Sequence, residues 1–98
     1  ERMNRKEFLN AAEKCVCNGK ENEYGTPEDN FGLIARLWAV YLDYPVRDVD
    51  VAIMMNLLKI ARIKTGMNKE DSFVDAIGYM ACAGEIAERI EKEAEWLI

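Results

Sequence analysis

The chain contains no histidine, two prolines and three cysteines among its 98 residues. Without histidine, zinc sites built on that residue and the Ser-His-Asp and Cys-His catalytic arrangements are excluded. Any metal site would have to consist of carboxylates, which suit magnesium or manganese. Because Cys15, Cys17 and Cys82 are odd in number and lack the spacing of a disulfide framework, we expect reduced thiols and a cytoplasmic protein.

Long apolar runs and an excess of basic residues are also absent. The apolar runs are too short to span a bilayer, and no signal-peptide pattern opens the sequence. The formal net charge is −5, from 13 basic and 18 acidic residues, which argues against a nonspecific nucleic-acid surface. We therefore expect neither a membrane nor a nucleic acid as partner, although one or two local cations can still bind a small anionic ligand.

Hydrophobic residues make up 50% of the chain and charged residues 32%, as is typical of a globular domain. No segment alternates convincingly with the period of two that a strand requires. Residues 1–98 are therefore predicted to form a single all-α domain, a compact four-helix bundle with short connections. Because so short a chain buries a limited share of its surface, we expect a homo-oligomer.

Local signals predict where the helices begin and end. The predicted helices span about 5–18, 27–43, 48–65 and 69 to beyond 89. Asn4 and Glu7 form the pattern of a capping box before the first helix, and Gly19 is its predicted stop. Pro27 suits the first position of the second helix, and Gly66 is the expected stop of the third.

The third predicted helix is apolar almost all the way round, so we expect it to lie at the centre of the bundle. Its exception is a narrow polar stripe of Asn56, Lys59 and Arg62, which stand at steps of three within about 120° of arc. The predicted core face of the fourth helix consists of Phe73, Ala76, Ile77, Met80, Gly84 and Ala87.

The cations of this stripe are candidate functional residues. A charged group among apolar side chains must be paired, hydrated or bound to an anion, because burying it alone is very costly. Either Lys59 and Arg62 pair with Asp71 and Asp75 of the next helix or reach solvent, or they bind a phosphate, with arginine as a bidentate clamp. The residues alone leave both interpretations open.

The fourth helix carries Asp71, Asp75 and Tyr79 at steps of four, along one side. Carboxylates one turn apart can hold a hard cation such as magnesium or orient a sugar hydroxyl. Asp71 is also explained as a first-turn residue that interacts with the helix dipole. Asp75 lies deeper in the helix, where a binding role and an ion pair with Lys59 or Arg62 are both reasonable.

The segment before the second helix is a further candidate. Tyr24 and Gly25 lead into a helix N-terminus, where backbone N–H groups favour an anion or a polar ligand group. Tyr24 or Trp38 could stack on a base, and Asn30 could read a ribose or base. Taken by itself, the segment is better explained as an ordinary capped helix.

These motifs together resemble a small family of phage and prophage proteins of unknown function. The resemblance covers about 5–86 and rests on Glu23-Tyr24-Gly25, Pro27-Glu28-Asp29-Asn30-Phe31, Leu37-Trp38, Leu57-Leu58-Lys59-Ile60-Ala61-Arg62 and Asp71-Ser72-Phe73-Val74-Asp75 with Gly78-Tyr79. That family is in turn remotely similar to the MazG-like all-α nucleotide pyrophosphohydrolases. Those are oligomeric bundles that bind nucleoside triphosphates through magnesium held by acidic residues on two helices, so the resemblance implies a MazG-like fold and a nucleotide ligand.

The acidic motifs of the MazG-like enzymes are only partly present. In the second motif, Ser72 stands where a glutamate is expected, Asp75 matches the aspartate, and Asp71 is a candidate substitute. The first motif, three glutamates on the preceding helix, is absent, and the polar stripe occupies that helix instead. Direct contact between cations and phosphates could replace magnesium for binding, but it would not supply the activated water that hydrolysis needs.

The leading hypothesis is a phage-type nucleotide-binding protein without a cofactor that sequesters a nucleotide immune signal of the host. The predicted ligand-binding residues are Tyr24, Asn30, Trp38, Asn56, Lys59, Arg62, Asp71, Asp75 and Tyr79. One alternative is a magnesium-dependent nucleotide pyrophosphohydrolase that uses Asp71, Asp75 and Glu85. Another is a protein interaction module without a small ligand.

Overall fold

The computed structural model describes residues 2–17, 27–66 and 69–96. This part of the chain forms α1 (Arg5–Cys17), α2 (Pro27–Leu42), α3 (Asp48–Thr65) and α4 (Lys69–Trp96). Within the described ranges there are four helices and no strand, which confirms the prediction of an all-α chain. None of the described helices has both the length and the hydropathy needed to cross a bilayer.

The helix ends largely follow the local signals. The backbone N–H of Asn4 donates to Glu7 Oε1 at 3.2 Å, and the N–H of Glu7 donates to Asn4 Oδ1 at 2.9 Å, which confirms the capping box. Gly66 ends α3 with φ 84°, a left-handed conformation that glycine adopts without steric cost. Pro27 is the first residue of α2, whereas the predicted stop at Gly19 lies outside the described residues.

The N-terminus of α3 has a capping interaction for which the sequence gave no prediction. Asp50 accepts the backbone N–H of Arg47 at 2.9 Å, and its two oxygens accept guanidinium N–H groups at 3.0 and 3.2 Å. The side-chain hydrogen bond from Arg47, followed by the backbone one, lowers the pKa of Asp50 below its ordinary range. The interaction stabilises the first turn of α3.

This lowered pKa predicts acid sensitivity at the start of α3. A carboxyl with a lower pKa in the folded state stabilises the fold above its unfolded pKa, and that contribution is lost as pH falls through the folded pKa. We expect Asp50→Asn to reduce the loss of stability below about pH 4, measured by urea unfolding at a series of pH values. Asp43→Asn, at an exposed position, is the charge-matched control. If the stability of the two variants depended equally on pH in this range, the Arg47–Asp50 interaction would not be the source of the acid sensitivity.

The helices α3 and α4 form a hairpin against which α1 and α2 pack. Thr65 ends α3 and Lys69 begins α4, so the two helices run antiparallel with an extensive mutual interface. The other two helices pack on opposite members of this hairpin, α1 against α4 and α2 mainly against α3. The core is formed by buried residues of α2, α3 and α4, namely Phe31, Ala35, Val49, Val51, Ala52, Cys82, Ala83 and Ile86.

The predicted core face of α4 is wrong. Phe73 and Met80 are 45% and 46% exposed, whereas Ala83 and Ile86 are 4% and 2% exposed. Phe73 instead packs edge-on against Phe8 of α1, with ring centroids 6.0 Å apart. Because α4 contacts α1 as well as α3, it has an apolar face toward each of these helices. Periodicity alone does not tell which of the two faces enters the core.

The prediction that α3 is enclosed in the bundle also needs correction. One side of α3 packs against α4 and α2, but large apolar residues on the opposite side are between 39% and 58% exposed. These residues are Ile53, Met54, Leu57, Leu58 and Ile60. Within one chain, therefore, α3 has a second apolar face that no described helix covers.

Candidate functional site

Four polar residues lie together where α3 faces α4. We call Asn56, Lys59 and Arg62 of α3, with Asp75 of α4, the polar belt; all four are half-buried. Lys59 Nζ lies 2.8 Å from Asp75 Oδ2, and the two side chains are 15% and 37% exposed. This ion pair joins α3 to α4, so the polar belt lies at the interface between these two helices.

Two atoms of the polar belt have no hydrogen-bond partner among the described residues. Asn56 Oδ1 and Arg62 Nε are both buried, and neither is hydrogen-bonded to any residue that the structure describes. A buried polar group without a partner costs about 1–3 kcal/mol, and more when it is charged. Along α3, the belt therefore has a buried acceptor before Lys59 and a buried donor after it, and neither has a hydrogen-bond partner among the described residues.

The structure confirms one of the proposed ion pairs. Lys59 pairs with Asp75, as one of the two interpretations of the stripe predicts. Among the described residues, no ion pair joins Arg62 to Asp71 or Asp75, and Asp71 is exposed in the first turn of α4. Pairing within the fold thus accounts for one cation of the stripe, and Arg62 needs a different explanation.

Ser72 is a further polar residue of this region that the predicted site did not include. Its side chain is 1% exposed, and it precedes Asp75 by three positions, which puts both on one face of α4. Tyr79 lies on the same face, half-buried, with its ring tilted 49° to that of Phe31 and the centroids 6.1 Å apart. The spacing between Ser72 and Asp75 is the sequence signal that could have identified it.

The remaining predicted ligand residues are not gathered in one place. Trp38 is half-buried and packs against the core from α2, and Asn30 is exposed near the start of the same helix. Tyr24 lies outside the described residues. Glu85 follows Asp75 by ten positions, about 15 Å along the axis of α4, and approaches Arg89 at 3.7 Å. Glu85 and Asp75 therefore do not share a site within one chain.

The residues of the belt do not fit magnesium. In the part of the chain that the structure describes, no three carboxylate or cysteine side chains form a group that could hold a metal ion. Magnesium requires an octahedral set of oxygen ligands, whereas Asp75 is bound to the ammonium group of Lys59. Among the described residues, the belt therefore has no set of ligands through which a metal could take part in a reaction.

A groove of about 410 Å³ lies elsewhere, between α1 and α4. It is lined by Arg5, Phe8, Leu9, Phe73 and Ile77. Ligand sites usually combine an apolar wall with several convergent polar groups, whereas the lining of this groove is entirely apolar, including the part of Arg5 that faces it. Within the described residues, the groove therefore offers no polar group that could orient a ligand.

The fold and the belt define a small all-helical protein with cations at a helix interface. The chain belongs to the family described as a domain of unknown function, DUF6378, whose model matches residues 7–87. It is similar to the Gene 55 protein of Mycobacterium phage D29, with 40% identity over 81 residues, 83% of this chain and 54% of that protein. The predicted membership of a phage protein family is confirmed.

A second relative gives the same picture. The Gene 55 protein of Mycobacterium phage L5 is 38% identical over 73 residues, which are 74% of this chain and 47% of that protein. The chain thus spans about half the length of the curated relatives it matches. No solved structure shows a significant match to the chain.

Proposed function

We propose that this protein is a phage nucleotide-binding protein that acts in the cytoplasm of the host cell. The proposal includes a MazG-like arrangement of the bundle and a homo-oligomeric state. The observation that supports it is the presence of two buried polar atoms without partners among the described residues, Asn56 Oδ1 and Arg62 Nε. A ligand that satisfies both atoms would recover the free energy that their burial costs.

The two atoms require different chemistry from a ligand. The N–H of Arg62 Nε needs an acceptor, and a guanidinium group matches the oxygens of a phosphate in bidentate geometry. The amide oxygen of Asn56 needs a donor, such as a ribose hydroxyl or a base amino group. Six positions of helix separate the two residues, about 9 Å along the axis. A nucleotide carries its phosphates and its sugar hydroxyls at separate ends, as this arrangement requires.

The other predicted residues have supporting roles in this proposal. Lys59 adds positive charge between the two unpartnered atoms, although its pairing with Asp75 at 2.8 Å neutralises part of that charge. Asp75 would contact ribose or base, and Tyr79 would stack on the base. Roles for Asn30 in reading the ribose or base and for Trp38 in stacking rest on the sequence alone. A stacking role for Tyr24 rests on the sequence alone.

Binding without hydrolysis is the favoured form of this function. The belt uses cations where a MazG-like enzyme would use carboxylates and magnesium, so a phosphate would be bound directly and no water would be activated. The relatives are phage proteins, and a phage gains from removing the nucleotide signals of host defence. We therefore propose that the protein sequesters such a signal.

Calorimetric titration with mononucleotides, cyclic dinucleotides and ADP-ribose derivatives tests this function. We expect one class to bind, and Arg62→Gln to weaken its binding by about 10- to 100-fold, because a hydrogen bond to a charged group contributes about 1.5–3 kcal/mol. Arg36→Gln, which removes an exposed cation from α2, is the control and should bind normally. The absence of binding by every nucleotide, or equal loss in both variants, would overturn the proposal.

Release of the bound nucleotide distinguishes sequestration from hydrolysis. We expect the ligand to be recovered chemically unchanged after incubation with magnesium and heat denaturation of the protein. Magnesium-dependent release of pyrophosphate that is lost in Asp75→Ala would instead support the pyrophosphohydrolase alternative.

A further inference from the structure

The side of α3 that points away from α4 is a continuous apolar surface. We call it the outer face of α3; it consists of Ile53, Met54, Leu57, Leu58, Ile60 and Ala61, all exposed. Helical geometry places these residues within about 160° of arc. The charged residues Lys59 and Arg62 lie away from this arc, in the polar belt, so no charge lies among the apolar residues of the outer face.

The two ends of this face carry opposite charges. Asp50 stands seven positions before Leu57 and Lys64 stands seven positions after it, both within the arc of the outer face. Asp50 also pairs with Arg47 of its own chain, so Lys64 of the partner subunit would join that pair at its carboxylate. A two-fold axis through Leu57 would therefore bring Asp50 opposite Lys64 of the partner subunit, and the reverse pair would form on the other side of the axis. The same rotation aligns the two helix dipoles antiparallel, which is the favourable orientation.

We propose that a second copy of this chain docks on the outer face of α3, with the two α3 helices antiparallel around Leu57. An isologous interface needs a surface that is complementary to itself after a two-fold rotation. Apolar residues in the middle, an acid at one end and a base at the other satisfy that condition. The interface would cover the apolar face of α3 that the described part of its own chain leaves exposed. The inference specifies the homo-oligomer of the proposed function and stands whether or not a nucleotide binds.

Sedimentation equilibrium of the 98-residue chain tests this interface. We expect a mass of twice the 11.2 kDa chain at about 100 µM protein. Leu57→Glu places two carboxylates beside each other at the axis and should weaken the dimer at least about 100-fold, because a like-charge contact in an apolar interface costs several kcal/mol. Since Leu57 is 58% exposed in one chain, the circular dichroism of the variant should stay helical.

Val40→Glu is the matched control for this change. Val40 is 81% exposed on α2, so the substitution adds the same charge at another exposed apolar position, and the dimer should persist. A wild-type chain that is monomeric at about 100 µM would overturn the inference. It would also be overturned if Val40→Glu dissociated the dimer and Leu57→Glu did not.

The charged ends give a second, independent test. Lys64→Glu puts a carboxylate opposite Asp50 of the partner subunit at both ends of the interface, and we expect the dimer to weaken about 10-fold or more. Lys14→Glu, at an exposed position of α1, makes the same change in net charge and should have no effect. An equal effect of both variants would refute the antiparallel pairing. Nucleotide titration of the same proteins separates the two proposals, because a dimer that binds no nucleotide contradicts the proposed function alone.

Discussion

Replacing Gly78 with leucine is expected to lower the free energy of unfolding by about 2–3 kcal/mol, as for other overpacked interiors. A Cβ atom built on Gly78 would lie 3.1 Å from Val16 Cγ1 of α1, closer than such contacts normally allow. Because both backbones are held in helices, a leucine there would force α1 away from α4 and disturb the edge-on contact of Phe8 with Phe73. Urea unfolding followed by circular dichroism measures the loss.

Gly84 provides the control on the same helix. A Cβ atom at Gly84 would meet no heavy atom within 4 Å among the described residues. Gly84→Leu should therefore leave stability unchanged or raise it by up to about 1 kcal/mol, since leucine has the higher helix propensity. We expect Val16→Ala to recover part of the stability lost in Gly78→Leu. Similar losses of stability in both glycine variants would contradict the explanation that Gly78 is needed for the close approach of α1 to α4.

Removing Asp75 should lower the free energy of unfolding more than removing Lys59. Asp75→Ala leaves an ammonium that is 15% exposed without its partner, and we expect a loss of about 2 kcal/mol. Lys59→Met leaves a carboxylate that is 37% exposed and can be hydrated, so the expected loss is below about 1 kcal/mol. Unfolding measurements on the two variants test this order, and a greater loss in Lys59→Met would contradict it.

The double variant separates a structural role of the pair from a binding role. With Lys59→Met and Asp75→Ala combined, no buried charge is left unpaired by the change, so stability should approach that of the wild type. Nucleotide affinity should nevertheless fall if Lys59 supplies charge to a bound phosphate. Full recovery of both stability and affinity would limit the pair to a structural role and leave Arg62 and Asn56 as the binding residues.

Several features of the fold were predictable because they depend on neighbours in the sequence. The capping box of Asn4 and Glu7 and the left-handed stop at Gly66 are formed by residues within one or two turns of each other. The helical state of each segment follows from periodicity over the same short range. The pairing of Lys59 with Asp75 was one of two open interpretations, because it joins two helices whose relative rotation the sequence does not specify.

Family membership was likewise predictable, because short sequence motifs along the chain are enough to indicate it. The match to the family model over residues 7–87 agrees closely with the range that those motifs cover. Neither the motifs nor the match identifies a ligand. The proposed nucleotide function therefore rests on the buried polar atoms of the polar belt.

What required the tertiary structure is the assignment of each helix face to a neighbour, to solvent or to a site. The apolar periodicity of α4 fits two faces, and the packing of α1 against it determined that Phe73 lies there while Ile86 enters the core. The pattern of α3 predicted a buried helix, yet one of its faces is uncovered in the single chain. Periodicity reports that a face is apolar but not which surface will cover it, since that depends on contacts between residues far apart in the sequence. For the same reason, only the packing of α3 against α4 distinguished Lys59, which has a partner, from Arg62 and Asn56, whose buried atoms have none among the described residues.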